Sequence, residues 1–591
     1  MKYGPASRLH DILQSPQACA VVGRVLPGLL DREDLDRLYG LPVRFFADTD
    51  PALTGDQDKA ALLWRELAVI DVVRTPRPAD PAIQPRPDYE SSDVAGGSAR
   101  AIVPPTASRW SVVEVCIDGP SHGNPFTDVD FTARFSLNGV ETTVGGFYDG
   151  YGRWIVRFLP ETTGTLRFTT SSTARSLHGI SGKVEIGEAR EGDHGPVRVG
   201  GFHFAHADGT RHVPLGSTAY AWLHQPAEVR AATLRTLRDA PFTKLRMTVF
   251  PKAFDFNSND PDLYPFVRDE HGAFDFTRFD PRFFRRLEQA VTSLATLGIE
   301  ADIILFHPYD RWGFADMGPA SDDRYVRYLV RRLWAHPNVW WSMANEYDFL
   351  WTKYEQDWER MGRIVAGEDP AGHPRSIHNG ATLYDHSRDW ITHASVQGTD
   401  RYRTAENVDR WRGSWRKPVL VDECGYEGNL PFSWGNLSGQ ELIRRFWEGA
   451  VRGGYIGHGE TYYRDDEQIW WAKGGELVGD APGRIAFLRR VIEESPGGAL
   501  DPVPLEIDVP AAGVPEQYYL VYYGFSQPLF CDVPLPAGEY QVDVIDTWNM
   551  TLDSCRVACD GALHVDLPGR EYIALRVTVL AQGGSATGGA Q

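Results

Sequence analysis

What this chain of 591 residues lacks narrows its function first. It lacks a basic face: 80 acidic against 60 basic side chains leave a formal charge of -20, which argues against nucleic acid or an anionic membrane as partner. It lacks any apolar run of membrane-spanning length. Its N-terminus, Met1-Lys-Tyr-Gly-Pro-Ala-Ser-Arg8, has no apolar core followed by a small-residue cleavage site, so no secretory signal is expected. Cysteine is scarce. Cys19, Cys116, Cys424, Cys531, Cys555 and Cys559 follow no disulfide or metal-ligand rhythm, and although Cys555 and Cys559 are spaced to pair, free thiols in a reducing cytoplasm are the plainer reading. The segment Asp255-Phe-Asn-Ser-Asn-Asp260 lacks the glycine and terminal glutamate of a calcium loop, the histidines lack metal-ligand spacing, and no glycine-rich turn has the setting of a nucleotide-binding turn. No metal and no cofactor are expected.

What the chain has in excess is aromatic residues, at 12 % with 18 Trp. Sugar rings are natural partners for such side chains, because their C–H faces pack on indole and phenol while their hydroxyls bond nearby polar groups. Two apolar runs sharpen that suggestion: Val339-Trp-Trp-Ser-Met-Ala-Asn-Glu346 and Lys417-Pro-Val-Leu-Val-Asp-Glu423. Each is too short and too rich in Val and Trp for an amphipathic helix, and each ends on a glutamate, as a buried strand does whose carboxylate emerges at its C-terminal end. Glycosidic cleavage needs such a pair, one carboxyl to protonate the leaving oxygen and the other to attack the anomeric carbon or activate water. Strand-end glutamates in structural ion pairs are the bland alternative.

The length predicts three or four domains. Residues 1–75 have a helical pattern, with Leu9, Ile12 and Leu13 on one face and Val21, Val22, Val25 and Leu26 on the next, a break at Pro27-Gly28 and a short helix from Asp31 to Leu38. Residues 76–107 are too proline-rich for a core element and form a linker or a wrapping arm. Residues 108–195 alternate with period two (Val112, Glu114, Cys116; Phe131, Ala133, Phe135), with turns at Asn138-Gly139 and Asp149-Gly150, which predicts a β-sandwich. A second β segment spans 496–581, followed by a low-complexity tail, 582–591, expected to be disordered. Between them, residues 196–495 alternate strand and helix. Candidate strands are 213–216, 243–250, 300–306, 339–344, 375–378, 393–397, 419–422 and 455–460. One helix is especially legible: Asp280 caps it, Pro281 fits its first turn, Phe284, Leu287, Val291 and Leu294 form its stripe, and Gly298 stops it. The predicted fold class is α/β, a (β/α)8 TIM barrel between two β-sandwiches with a small helical N-terminal region.

In such a barrel the active site gathers at the C-terminal strand ends, where Arg246, Lys252, His307, Tyr309, Asp310, Arg311, Trp312, Asn345, Glu346, Tyr347, Gln397, Glu423, His458 and Glu460 all fall. On these residues the chain resembles the retaining glycoside hydrolases of clan A, whose strand four ends in Asn-Glu and whose strand seven ends in the nucleophilic Glu. More closely, the run from Pro337 to Asp348 is similar to the DUF4038, apiosidase-like barrels. The segment Gly146-Phe-Tyr-Asp-Gly-Tyr-Gly-Arg-Trp-Ile-Val-Arg-Phe158 is similar to the DUF5060 sandwich, and the C-terminal segment to DUF5605. The resemblance implies Glu346 as acid/base, Glu423 as nucleophile and Asn345 as ligand of the neighbouring sugar hydroxyl.

Further candidates for substrate contact carry a structural alternative each. Arg246 either orients Glu423 or pairs within the barrel core. His307, His458 and Glu460 are sugar ligands or buried braces, and Tyr347, Trp312 and Trp470, with Trp434 and Trp471, are stacking platforms or core. Asp422 is expected to face away from Glu423, because neighbours on a strand alternate. Glu427 competes as nucleophile. The reaction expected is retaining, exo-acting hydrolysis of a terminal pentofuranose or β-pyranose from small cytoplasmic glycosides or oligosaccharides. A transglycosylase and a non-catalytic sugar-binding barrel are the alternatives. The Tyr148-Asp149-Gly150-Tyr151 loop is expected to narrow the cleft, and the N-terminal helices to serve contacts between subunits of a homo-oligomer, since their apolar faces need a partner.

Overall fold

The computed structural model describes residues 2–582 apart from 55, 74–78, 399 and 401; the low-complexity tail expected to be disordered lies outside the described residues except for residue 582. The protein is of mixed α/β type. At its centre are eight parallel strands, joined through helices except between the fifth and the sixth: β1 (Gly216–Thr218), β2 (Lys244–Thr248), β3 (Glu300–Phe306), β4 (Val339–Ala344), β5 (Arg375–Ser376), β6 (Ala394–Gln397), β7 (Val419–Glu423) and β8 (Tyr455–Ile456). Strands β1 to β5 form one sheet in that order and β6 to β8 a second. Single parallel bridges connect them, His378 to Ser395 after β5 and His458 to Ser217 after β8. Strands β2, β3 and β4 are buried along their whole length, as strands covered on both faces must be.

Each candidate strand has a counterpart, but two are displaced or truncated in ways that matter. Strand β1 begins at Gly216, not Val213, and β8 stops at Ile456. The expected end of β8 leaves the sheet, so that Glu460–Thr461 pairs in parallel with Glu427–Gly428. The helix Pro281–Ala295 forms as its pattern predicts: the Asp280 carboxylate accepts from the Arg282 N–H at 2.9 Å, and Phe283, Phe284, Leu287, Val291 and Leu294 are buried. An antiparallel pair, Phe266–Arg268 with Phe274–Phe279, is inserted before that helix and was not anticipated.

The N-terminal region is helical, with helices Leu9–Leu13, Pro16–Val25, Val43–Thr49, Pro51–Thr54 and Gln57–Leu67, and a short 3-10 turn at Leu35–Leu38 where a helix was expected. Leu9, Ile12, Val22, Leu41, Val43, Leu63 and Leu67 make a separate core, and Phe349 and Ala381 of the central unit pack against it. The apolar partner that these helices require is thus present within the same chain. The proline-rich stretch is a wrapping arm where it is described. Asp80 accepts from the N–H of Ser321 at 2.8 Å and Glu90 from the N–H of Ser176 at 2.7 Å.

Residues 100–187 form a four-stranded and a five-stranded sheet over a shared apolar core. In the strand Val113–Asp118 the buried face is Val113, Val115 and Ile117. Glu114 and Cys116 turn to the other side, where Arg157 donates two bonds to Glu114 at 2.8 and 2.9 Å. That arginine begins a buried network between modules. Arg157 also reaches Glu288 at 2.7 Å, Arg332 binds both Glu288 and Asp149 at 2.8 Å, and Arg285 binds Asp149 at 3.0 Å. Burial pushes the Glu288 carboxyl up, but the two guanidiniums win and hold it at about 2. The Tyr148–Tyr151 loop is therefore fixed against the helices Pro281–Ala295 and Pro319–Leu333 and does not line the catalytic cleft, contrary to expectation. C-terminal to the central unit, a six-stranded sheet buries Ala512, Leu520 and Tyr522 against it, with Tyr522 stacked on Trp447 at 5.8 Å.

Removing one partner of a buried ion network leaves the others uncompensated, typically at about 3–5 kcal/mol. Glu288→Gln is expected to lower the unfolding free energy, read from urea denaturation, by an amount of that order, whereas Glu141→Gln, at an exposed pair with Arg134, should leave it within about 0.5 kcal/mol. Equal midpoints for the two variants would refute the seam as a source of stability.

Candidate active site

The pair of strand-end glutamates meets in one cavity of about 110 Å3, lined by Glu346 and Glu423 with Tyr220, Lys252, Phe254, Tyr309, Asn345, Gln397, Tyr426, Trp434 and Trp471 among others. Glu346 lies two residues past β4 in the left-handed region, φ 49° and ψ 55°. For a residue other than glycine that backbone costs about 1–3 kcal/mol and persists only where the surroundings fix it. Here the Tyr347 N–H donates to the His378 carbonyl at 3.0 Å, and the Asp348 carboxylate accepts from the N–H groups of Gly380, Ala381 and Thr382 at 2.6, 2.8 and 2.6 Å. The Glu346 carboxylate itself accepts from the Tyr309 hydroxyl and from Asn345 Nδ2, the latter at 3.0 Å.

Glu423 has different company. Its Oε1 accepts from the Tyr220 hydroxyl and from Arg246 Nη1 at 3.2 Å, and His378 Nε2 lies 3.3 Å away. Arg246 also donates to Asn345 Oδ1 at 3.0 Å, so one guanidinium ties the two strand ends together. Behind Glu423 runs a relay in which the Ser395 hydroxyl donates to Asp422 at 2.5 Å and faces His378 Nδ1 at 3.0 Å.

The alternation expected of Asp422 and Glu423 fails for an identifiable reason. Ser395 pairs with Leu420 and Gln397 with Glu423, so β7 carries one more residue than β6 between those pairs. This β-bulge turns both carboxylates inward. Asp422 binds Lys244 at 2.7 Å beneath the cavity, Lys244 also binds Asp302 at 2.5 Å, and Glu423 emerges above them.

These surroundings drive the two carboxyls apart. Burial pushes Glu346 up, the Glu423 charge adds to the rise, and the opposing Tyr309 hydroxyl and Lys252 ammonium leave it at about 7. Burial raises Glu423 as well, but His378, Arg246 and the Tyr220 hydroxyl prevail and hold it far below the usual carboxylate range. The arrangement thus favours a proton on Glu346 and a charge on Glu423. Lys252 sits between them in an aromatic cage, 3.9 Å from the Tyr220 ring centre, 4.3 Å from Tyr309 and 4.6 Å from Trp471. Burial lowers its ammonium to about 8 despite the two carboxylates.

Of the residues singled out by sequence, the cavity includes Glu346, Glu423, Asn345, Lys252, Tyr309, Gln397, Trp434 and Trp471, with Arg246 directly behind. It does not include the others. His307 is buried, with Nε2 3.1 Å from the Phe250 carbonyl and Nδ1 accepting from the Tyr309 N–H at 3.2 Å, so it braces the turn that presents Tyr309. Burial pushes that imidazole down to about 3 and keeps it neutral. Trp312 donates to Asp260 at 3.0 Å and Trp470 to Ser217 at 2.8 Å, each away from the cavity. Tyr347 faces Tyr384 edge-on at 5.0 Å in a separate groove.

His458, Glu460 and the rival nucleophile Glu427 gather behind the cavity as a buried group, because Glu460 left β8 to pair beside Glu427. Glu460 accepts from the N–H groups of Val478 and Gly479 at 2.8 and 2.9 Å, and Glu427 from that of Ala481 at 3.1 Å. Their ligand atoms lie within 4.8 Å of one another, as do those of His206, His212 and Glu300 at the opposite end of the strands. Neither group touches the catalytic cavity. Residues that sequence reasoning missed are Tyr220, Phe254 and Tyr426, which line the cavity, and His378, which is buried against Glu423. Tyr220 lies just past β1, whose end was placed too early. Tyr426 follows the bulge in β7, and His378 lies two residues beyond β5, where a candidate strand was read but no role was assigned.

Comparison with known proteins gives three matches along the chain: DUF5060 over 106–173, the apiosidase-like catalytic domain over 200–480 and DUF5605 over 507–578. A solved protein of Bacteroides vulgatus ATCC 8482, described as a putative glycoside hydrolase, is 38% identical; the match covers 80% of this chain and 99% of that one at a TM-score of 0.75. A glycoside hydrolase family 5 structure from the same organism (16% identity, TM-score 0.52, 65% of this chain and 94% of that one) and another glycoside hydrolase (15%, 0.53, 66% and 97%) share the fold. No curated protein matches.

If Glu346 must be protonated for turnover, kcat/KM should fall tenfold per pH unit above about 7. Lys252 favours the ionised form of Glu346, so Lys252→Met should raise the pKa of Glu346 and move that limb to higher pH. A limb that stays in place or moves to lower pH would show that the ammonium does not act on this carboxyl.

Proposed function

This chain belongs to the apiosidase-like family of multidomain glycoside hydrolases, and we propose that it removes one terminal sugar from small glycosides by double displacement with retention. The observation that carries the proposal is the convergence of two carboxyls in one small cavity with unequal neighbours, Glu423 beside Arg246, His378 and Tyr220 and Glu346 beside Tyr309 and Asn345. Ionised Glu423 attacks the anomeric carbon while Glu346 gives its proton to the leaving oxygen. Once Glu423 is esterified its charge is gone, the main electrostatic support for a protonated Glu346 is lost, and Glu346 takes a proton from water for the second step. Asn345, fixed by Arg246, is placed to bond the hydroxyl next to the anomeric carbon.

The two bridges that connect the parallel sheets support a closed (β/α)8 barrel, and the paired sheets on either side support two sandwiches. A cavity of about 110 Å3, small beside the ~300–1,000 Å3 of most ligand sites and walled by Phe254, Tyr426, Trp434 and Trp471, favours an exo-acting enzyme that holds one ring. Furanosides of arabinose or apiose and β-pyranosides are the candidate substrates. The six cysteines are unpaired, which supports a reducing cytoplasm and small imported glycosides.

A panel of nitrophenyl glycosides, furanosides and pyranosides of both anomers, with product configuration followed by NMR, tests the activity. A retaining enzyme requires the two carboxyls about 5 Å apart. Glu423→Ala is expected to abolish turnover and to be rescued by azide with inversion. Glu346→Ala should keep the first step on activated substrates, lose the second, and yield a retained azide product. Reversed configurations would exchange the two roles, and full activity in both variants would move the site elsewhere.

A further inference from the structure

The N-terminal helices have no place in the chemistry above, yet they close on the segment that carries its acid. Gly40 packs so tightly on the turn after Glu346 that a Cβ there would lie 1.9 Å from the Asp348 carbonyl oxygen. No other residue fits without moving that turn. Arg8 donates to the Trp351 carbonyl at 2.9 Å and covers the Tyr354 ring at 4.6 Å; His10 stacks on Trp351 at 4.3 Å; Asp11 accepts from the Tyr354 hydroxyl at 3.1 Å. Phe349 enters the helical core. Asp348, Phe349, Trp351 and Tyr354 are thus all met by the N-terminal region on the outer side of this segment. On the inner side, Asp348 is held by three backbone N–H groups.

Resting on the reading of Glu346 as the acid, we propose that residues 2–72 are a positioning module for that carboxyl. Glu346 occupies a left-handed backbone that relaxes unless both flanks of its turn are fixed, and the three N–H groups at Asp348 fix only one. The helices supply the other. Gly40, Arg8 and Phe349 are positioning residues: none touches the cavity, and each acts through the 347–354 turn. A displaced Glu346 harms both protonation of the leaving oxygen and the later deprotonation of water; kcat/KM reports the first step alone, so the signature there is a dependence on the leaving group.

The test compares Gly40→Val and Arg8→Ala in the full chain on two glycosides of the sugar that the wild type cleaves, one with a dinitrophenyl and one with an alkyl leaving group. The alkoxide needs protonation and the dinitrophenolate does not, so the variants should lose about tenfold or more in kcat/KM on the alkyl glycoside and less than about twofold on the other. Arg8→Lys, which keeps a donor for the Trp351 carbonyl, should recover part of the loss. Circular dichroism establishes folding, and Arg8→Ala carries the test if Gly40→Val does not fold. Equal losses on the two substrates, or none on either, would overturn the inference while leaving the glycosidase reading intact. A wild type that cleaves no glycoside would overturn both.

Discussion

Two carboxylates in one small cavity repel each other, and the rest of this structure is arranged around the way that repulsion is resolved. Like charges in a shared low-dielectric site cannot both persist, so one group must take up a proton. Which one does so is decided by neighbours. Glu423 is faced by a guanidinium, an imidazole and a phenol hydroxyl, whereas Glu346 receives only a phenol hydroxyl and an amide besides the more distant Lys252. The asymmetry is built on different strands: Arg246 on β2, His378 beyond β5 and Tyr220 just past β1 all lean toward β7. A single substitution in that set therefore alters both carboxyls, and effects at Arg246, His378 and Tyr220 should not be additive.

Holding a cation so deep has its own cost, offset by a layer of charge below the cavity. Lys244 and Arg246 alternate on β2, with Asp302 on β3 and Asp422 on β7 opposite them. Because the bulge in β7 turns Asp422 inward together with Glu423, the layer gains the carboxylate that neutralises Lys244 and leaves Arg246 free to serve Glu423. Without the extra residue one of the two acids would face the helices. The bulge thus couples the internal charge balance of the central unit to the proposed chemistry.

Much of this was legible in the sequence, because short apolar runs ending in glutamate and a well-capped amphipathic helix are local patterns. The eight strands, the helix over 281–295 and the meeting of Glu346, Asn345, Arg246 and Glu423 followed from such patterns. What was not legible depends on events that leave no periodic trace. A one-residue bulge reversed Asp422. The early end of β8 moved Glu460 and His458 out of the cavity and into company with Glu427. Tyr220 and His378 sit one or two residues past strands whose ends propensity alone does not define, and Trp471 rather than its neighbour Trp470 faces the cavity, a choice made by helical phase. The packing of the Tyr148–Tyr151 loop against outer helices rests on Arg285 and Arg332, whose partners are distant in sequence.

The modules around the central unit differ in what they attach to, and that difference separates stability from geometry. The sheets of residues 100–187 are joined through Arg157, Glu288, Arg332 and Asp149, on the outer side of two helices that contribute no residue to the cavity lining. The C-terminal sheet meets the chain at Trp447, on the helix before β8. The N-terminal helices instead touch the turn that begins at Glu346. An ion network lost at the first seam is felt mainly as a lower folding free energy. A gap opened at the last would be felt in the placement of one proton, since the strained backbone of Glu346 is anchored on one side by the amides of residues 380–382 and on the other by a module that lies outside the three matched family regions.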